Sequence, residues 1–598
     1  MSIVYFWKLK QIGMNFLKGF LTSCLGALVA MVLVLVGIFV IISMSGEEKI
    51  LIKESSVLRL DLDVPIIEIE KEDPLAGLSI FGAAPKSIGL AQLRQTIEYA
   101  KTDEKIKGIL LSVSFPMTGY TVIEEIRRSL IDFRKSGKWV VAYSEGMSES
   151  AYYLASAADK VYLNPEGDIE FNGLAIEISF FKRLFDKLEI KPEVFRVGEF
   201  KSAVEPFLLE KMSDANRLQL TELIGSIYDH VLTRISESRN IPKASLKEIS
   251  DKMLVRNATL AQQYELVDSL LYDDQVQDEL RHRIGLPADK NVEYVKYNKY
   301  KRSFSTYKES KNEVAIIVAE GTILPGKENP GQSIVGSETF TKELRKAREN
   351  EKVKAVVIRI NSPGGSSLAS DVMWREITLT AKVKPVIASM SDVAASGGYY
   401  MAMGCDTIVA QPHTITGSIG VFSVLYDASG FLNNKIGITS EELKTGEIGE
   451  LITVTRPLND NERDIWQKRT EEVYETFTSK AAEGRKMSVE NIKKVASGRV
   501  WTGVQAKERG LVDVLGTFDD AVNIAAEAAK VKDDFKVRYH PQYTPSVLET
   551  LIDQFEEDTK LKTLKEQLGE HFYLYQQWKH VKSYQGTQAR MPFEMKIQ

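Results

Sequence analysis

The stretch VKAVVIRINSPGG, residues 353–365, decides the fold. It opens as a continuous apolar run of strand length, rich in β-branched residues, and breaks on Pro-Gly-Gly. Runs of this kind, bounded by turn residues, read as buried strands. Nearly the same run, IKGILLSV, stands at 106–113, an offset of 247 (353 − 106). Upstream, Ala100, Glu104 and Lys105 match Ala347, Glu351 and Lys352 at that offset, and downstream WVVAYS from Trp139 matches VIASMS from Val386. Tyr152-Tyr153, Ala155, Asp159, Pro165 and Gly173 match Tyr399-Tyr400, Ala402, Asp406, Pro412 and Gly420. The register then slips by single residues: Arg239 meets Arg485 at 246, and Leu266-Val267-Asp268 meets Leu511-Val512-Asp513 at 245. The chain therefore carries a duplicated unit, over 47–300 and 310–540, with a polar joint between them and a helical tail expected over 541–598. LRQTIEYAKTDEK and ELRKARENEKVK read as amphipathic helices before a strand; VIEEIRRSLIDFRKSG and SDVMWREITLTAK read as helices after one. Such alternation predicts an α/β fold of stacked βαβ turns with parallel strands.

The other 598-residue bounds are consistent with this. Hydrophobic residues make up 44% and the mean hydropathy is −0.16, which excludes a polytopic membrane protein. A formal charge of −5 gives no basic excess and no sign of nucleic-acid binding. Two cysteines, Cys24 and Cys405, give no disulfide framework, and with six histidines they argue against structural zinc. One segment stands apart. Residues 19–46 contain no charge, and about 20 apolar residues span a bilayer core. Lys8, Lys10 and Lys18 precede it, and no acidic residue occurs before Glu47. The positive-inside rule then predicts a cytoplasmic N-terminus (1–18), a transmembrane anchor (19–46) and a body on the far side. A cleaved signal peptide, ending near Ser43-Met44-Ser45, is the competing reading, but its apolar region is normally shorter.

Differences between the two copies point to chemistry. The second unit has Asn361-Ser362-Pro363-Gly364-Gly365 after its strand, where the first has Phe115-Pro116-Met117-Thr118-Gly119. The second has Ser396-Gly397-Gly398; at offset 247 Glu149 stands opposite Ser396. Conversely, VGEFKSAVEPF of the first unit carries Lys201, where the second has Gly449. A serine kept in one copy and a lysine kept in the other suggest a Ser/Lys pair split between the halves. A serine on a glycine-flanked turn can attack a carbonyl, Gly397 and Gly398 let the backbone approach a substrate closely, and backbone amides at Gly364 and Gly365 can receive the oxyanion. The serine needs a base. A free lysine is almost wholly protonated at pH 7, so Lys201 has to be buried to act as one. Val197, Phe200, Ala203 and Val204 supply apolar surroundings. Glu199 and Glu205 would oppose the shift unless they face away.

SDVAASGGYYMA, TGSIGVF, INSPGG and VGEFKSAVEPF closely resemble the motifs of the signal peptide peptidase A (protease IV) family, and the anchor with tandem units resembles its long form. The resemblance covers nearly the whole chain after the anchor. It implies a Clp-protease/crotonase-like fold. It also implies Ser396 as nucleophile, Lys201 as general base, Gly364 or Gly365 with Gly397 as oxyanion hole, and Ser418 as the residue orienting the lysine. Implied too are a homo-oligomer, a tetramer in the long form, and remnant signal peptides as substrates. The localisation implied is the bacterial inner membrane, with the body on its periplasmic side. The mechanism is acyl transfer and needs no metal or cofactor.

Three rival readings make different demands. A Ser-His-Asp hydrolase would use Asp406 and His413, in an order triads permit, but no G-x-S-x-G elbow surrounds Ser396. A crotonase-like acyl-CoA enzyme would share the glycine loops but has no use for the Ser/Lys split. A membrane-anchored oligomeric scaffold with a dead site would need neither Ser396 nor Lys201.

Overall fold

Parallel strands with both faces covered by helices must be apolar on both faces, and this chain obeys that rule twice. The computed structural model describes residues 50–70, 87–304, 309–328, 333–540 and 586–590, with a few positions between 23 and 30. The anchor expected over 19–46 lies almost wholly outside the described residues. Among the described residues no helix is long and apolar enough to cross a membrane.

The first unit is built on a parallel sheet with spatial order Ser269–Leu270, Lys160–Ile169, Trp139–Met147, Ile106–Ser112, Ser56–Asp61 and Tyr294–Lys296. The second repeats the central part as Thr407–Ala410, Val386–Ala395, Val353–Ser362, Glu313–Glu320 and Lys536–His540. Even an irregularity recurs: the pairing register shifts after Ser56 in one unit and after Glu313 in the other.

Alternation along each strand divides the core. In Val353–Ser362, Val356, Ile358 and Ile360 pack with Phe340, Leu344, Met373 and Ile377 from the helices Ser337–Glu349 and Ser367–Ala381. Ala355 and Val357 point the other way, onto Phe518, Ala521, Val522 and Ala525 of the helix Phe518–Ala528. A period of two on a sheet between two helical layers requires this split. The first unit has the same opposite layer, with Val276 and Leu280 on Val57, Leu110 and Val141.

The residues that carry the internal match hold equivalent places. Tyr152 donates its hydroxyl to the Leu266 carbonyl, and Tyr399 to the Leu511 carbonyl. Tyr153 reaches Glu124, and Tyr400 reaches Asp371. Asp159 and Asp406 each accept from an amide in the first two residues of the neighbouring strand, Val140 and Val386 respectively. Arg239 pairs with Asp268, and Arg485 with Asp513. These are buried or half-buried polar groups that must be satisfied in either copy, which is why they outlasted divergence.

The units are not separable beads. Described residues of 53–301 and of the chain from 305 onward pack as one body. A third sheet joins them, in the order Ile334–Gly336, Thr322–Leu324, Gly364–Ser366, Gly586–Arg590, Val421–Asp427 and Lys191–Val197. Its last strand comes from the first unit and pairs antiparallel with Val421–Asp427, from Val197 opposite Val421 to Lys191 opposite Asp427. The tail expected to be helical contributes a strand here, Gly586–Arg590. Residues 541–585 and 591–598 lie outside the described residues.

Candidate active site

The Lys191–Val197 strand carries the chain across the unit boundary and ends four residues before Lys201. Lys201 is completely buried. Its Nζ lies 3.0 Å from Ser396 Oγ, 3.0 Å from Ser418 Oγ and 3.2 Å from the Ser418 carbonyl oxygen. The lysine and the serine belong to the same chain. Burial holds the lysine pKa well below its ordinary 10.5. Among the described residues no carboxylate pairs with it. Glu205 is buried but turned to Ser213 and Asn216, and Glu199 is exposed. A charged ammonium there would have only hydroxyls, one carbonyl and the Phe422 ring, 6.0 Å away, to replace water. Desolvation therefore favours the neutral amine.

Ser396 occupies the N-cap position of the short helix Gly397–Ala402, yet its side chain makes no capping bond. Its backbone sits at φ 53°, ψ −111°, in a region that costs an L-residue about 1–3 kcal/mol. Two bonds hold it there: its amide donates to the Gly417 carbonyl and its own carbonyl accepts from the Tyr400 amide, each at 2.8 Å. Freed from capping, the hydroxyl faces the lysine. Ser418, also left-handed at φ 49°, is fixed by its amide's bond to the Arg499 carbonyl at 2.7 Å.

Gly364 and Gly397 meet beside the serine. A methyl group on Gly364 would sit 2.6 Å from the Gly397 nitrogen and run into the Ala589 carbonyl oxygen. One on Gly397 would lie 3.0 Å from that same oxygen. Gly364 is left-handed at φ 98°, and its amide donates to Ser362 Oγ at 3.2 Å. Gly365 lies opposite Ala589 in the strand pair. A carbonyl oxygen is thus held against the glycines expected to form an oxyanion hole.

The first unit's equivalent place is filled. The buried Glu149 carboxylate, opposite Ser396 in the repeat, accepts from the Asn172 and Gly173 amides, and burial raises its pKa. Gly449, opposite Lys201, lies on an exposed coil. The Ser-His-Asp alternative is not assembled. His413 packs between His230, Tyr120 and Tyr153 from the first unit, with burial lowering its pKa to about 3. Asp406 is taken up by the Val386 amide.

Two glycines went unassigned in the sequence. A methyl on Gly498 would lie 2.6 Å from Lys201 Cβ and 2.7 Å from both its Cα and its nitrogen. One on Gly420 would lie 3.2 Å from Lys201 Cδ. Ser497 accepts from the Phe200 amide, and Gly498 donates to Ile419, so the 497–499 segment clasps the lysine's backbone. Gly420 carried a signal, its match to Gly173. Gly498 carried none, because its partner is 297 positions away (498 − 201).

A serine on a strained turn, glycines around a bound carbonyl and a doubled α/β scaffold define the class: this is a serine peptidase. The model of Peptidase family S49 matches residues 132–286 and again 378–532. Protease 4 of Salmonella typhi is 38% identical over 489 residues, covering 80% of this chain and 78% of that one. Protease 4 of Haemophilus influenzae is 34% identical over 559 residues, 90% and 89%. The chloroplastic serine protease SPPA of Arabidopsis thaliana is 36% identical over 493 residues, 81% and 71%. Among solved structures, a membrane-bound stomatin-specific protease aligns over 40% of this chain and 100% of that one, at 17% identity and a TM-score of 0.26. The chain belongs to peptidase family S49, with the family domain present twice.

Proposed function

We propose that this chain is a membrane-anchored endopeptidase that uses a Ser396/Lys201 dyad to degrade cleaved signal peptides and other extended apolar peptides. The anchor is residues 19–46, the N-terminus is cytoplasmic, and the catalytic body lies on the periplasmic side of a bacterial inner membrane. The working form is a homotetramer. One observation carries the chemical part: a buried lysine amine, free of carboxylates among the described residues, 3.0 Å from the hydroxyl of a strained serine.

The reaction follows from that geometry. Neutral Lys201 accepts the Ser396 proton as Oγ attacks the peptide carbonyl. The oxyanion rests on the Gly397 amide and an amide of the Gly364–Gly365 pair; each such donor is worth roughly 3 kcal/mol in the transition state. Ser418 Oγ, at 3.0 Å from Nζ, keeps the amine aimed at the serine through both proton transfers. Lys201 then protonates the leaving amine. Water hydrolyses the acyl-enzyme, with the lysine again as base.

The test is hydrolysis of an apolar signal-peptide-like substrate by the full chain in detergent, beside Ser396→Ala and Lys201→Ala. Both variants should fall to background while keeping the parent's circular dichroism. An active Lys201→Ala would place the base elsewhere. An inactive but folded parent would return the scaffold reading.

A further inference from the structure

We propose that Gln219 is a positioning residue of this site, whose side-chain amide locks the loop carrying Lys201 to the segment that frames Ser418 and Ser396; the inference rests on the Ser396/Lys201 reading above. Gln219 stands on the helix Asp214–Arg239 of the first unit and is 1% exposed, so its amide must find partners inside the protein. Its Nε2 lies 3.1 Å from the Phe200 carbonyl oxygen and 2.6 Å from Ser202 Oγ, so one side chain grips the residues on both sides of the lysine. Its Oε1 accepts from the Val500 amide of the second unit at 3.3 Å. Ser202 Oγ in turn donates to Asn216 Oδ1 at 2.9 Å, and Asn216 Nδ2 donates to the buried Glu205.

Through Val500 this grip reaches the two serines. Val500 opens the strand Val500–Thr502 and lies opposite Gly417, whose carbonyl accepts from the Ser396 amide. The residue before it, Arg499, offers the carbonyl that fixes the Ser418 amide. Gln219 therefore ties the base, on one unit, to the frame of the nucleophile and of the hydroxyl that aims the base, on the other.

The position asks for a carboxamide. It must donate to a carbonyl on one side and accept from an amide on the other, which no aliphatic, carboxylate or cationic side chain does. A carboxylate here would also favour the ammonium form of the neighbouring lysine. Glutamine makes both bonds without a charge and so leaves the desolvated amine neutral. The second copy supplies the contrast. Ile465 stands opposite Gln219 at an offset of 246 (465 − 219), and Glu450 stands opposite Ser202 at 248 (450 − 202). The copy that lost the lysine lacks these side chains too.

Steady-state hydrolysis of an apolar peptide by the full chain in detergent, followed across pH, tests this. Gln219→Leu removes both ties at similar volume. Gln219→Glu keeps the acceptor for Val500 but cannot donate to Phe200. Ser226→Ala is the control: Ser226 Oγ lies 3.0 Å from Thr502 Oγ1, a tie from the same helix to the same strand that bypasses the lysine. Misplacing a catalytic group by about 1 Å costs roughly 10²-fold, so kcat at neutral pH should fall about that far in Gln219→Leu, with KM within about threefold of the parent. The loss should shrink as pH rises, because a lysine no longer held in its dry socket keeps its proton to higher pH. Gln219→Glu should likewise move the rise of kcat/KM to higher pH, and Ser226→Ala should match the parent. A loss in Gln219→Leu that is equal at every pH, or that Ser226→Ala shares, overturns the positioning role, since it marks only a weakened fold. If Gln219→Leu does not fold, Gln219→Glu decides, and an unmoved profile overturns the inference. A parent that cleaves while Gln219→Leu keeps its kcat overturns it too, and leaves the dyad standing. A parent that fails to cleave, or a Lys201→Ala variant that cleaves like the parent, removes the dyad reading and this inference with it.

Discussion

Replacing Gly498 by alanine tests whether the lysine's position, rather than its mere presence, sets the rate. At φ 78° the glycine sits where an alanine costs about 1–2 kcal/mol. That cost alone lowers stability and leaves the site intact. The second effect is local. The new methyl would lie 2.6 Å from Lys201 Cβ and 2.7 Å from its Cα and nitrogen, whereas ordinary contact begins at 3.4 Å. Backbone must therefore yield by about 0.8 Å (3.4 − 2.6), since no rotamer of Lys201 relieves contacts to its own Cα and nitrogen. A displacement near 1 Å at a catalytic group costs roughly 10²-fold, or about 2.7 kcal/mol of transition-state stabilisation. The control is Gly137→Ala, at φ 86° with nothing within 4 Å, which carries the strain without the collision. We expect kcat/KM on an apolar peptide to fall about 10²-fold in Gly498→Ala and to stay near the parent in Gly137→Ala, with both melting temperatures lowered. Gly498→Ala within threefold of the parent, or an equal loss in Gly137→Ala, would refute the reasoning.

Four further expectations follow from the charges and the packing. Burial depresses the Lys201 pKa below 10.5, so kcat/KM should rise with pH through that lowered value and then level off, as a pH–rate profile would reveal. The unfolded chain keeps this proton up to about 10.4 while the folded one does not. Stability should therefore rise with pH from the lowered value toward 10.5, and Lys201→Met should abolish that slope and raise the melting temperature at pH 7 while ending activity. Burial and the neighbouring Glu68 raise the Glu320 pKa to about 8. Its contribution is complete below the ordinary 4.5 and is lost as pH rises through about 8, so Glu320→Gln, which can still accept from the Glu68 amide, should melt above the parent at pH 9. His413→Leu should leave peptide hydrolysis unchanged, since the imidazole's neighbours are His230, Tyr120 and Tyr153; a large loss would revive a histidine base.

Duplication also explains why one centre serves two units. The first unit closes its own site with Glu149 on the Asn172 and Gly173 amides. It also leans on its partner: the half-buried Asp392 accepts from the Gly119, Thr121 and Val122 amides at the start of the helix Tyr120–Arg134. Burial raises the Asp392 pKa to about 6. A carboxylate on a helix N-terminus is stabilised by unpaired amides and the helix dipole, so this contact joins the units as well as capping the helix.

The sequence by itself determined the strands, the flanking helices and the duplication, because apolar period and burial are local properties that repeat along a chain. It also determined which residues to suspect, because Ser396 and Lys201 each lack a counterpart in the other copy. Tertiary structure alone decided that the two meet. Their 195-residue separation is closed by Lys191–Val197 pairing with Val421–Asp427, and an antiparallel partner chosen from a distant unit leaves no mark in either strand's own pattern. The same holds for the clasp at Gly498 and for Gly586–Arg590. The helical tail expected from sequence yields a strand there, since backbone hydrogen bonds from two waiting edges outweigh local propensity in so short a segment.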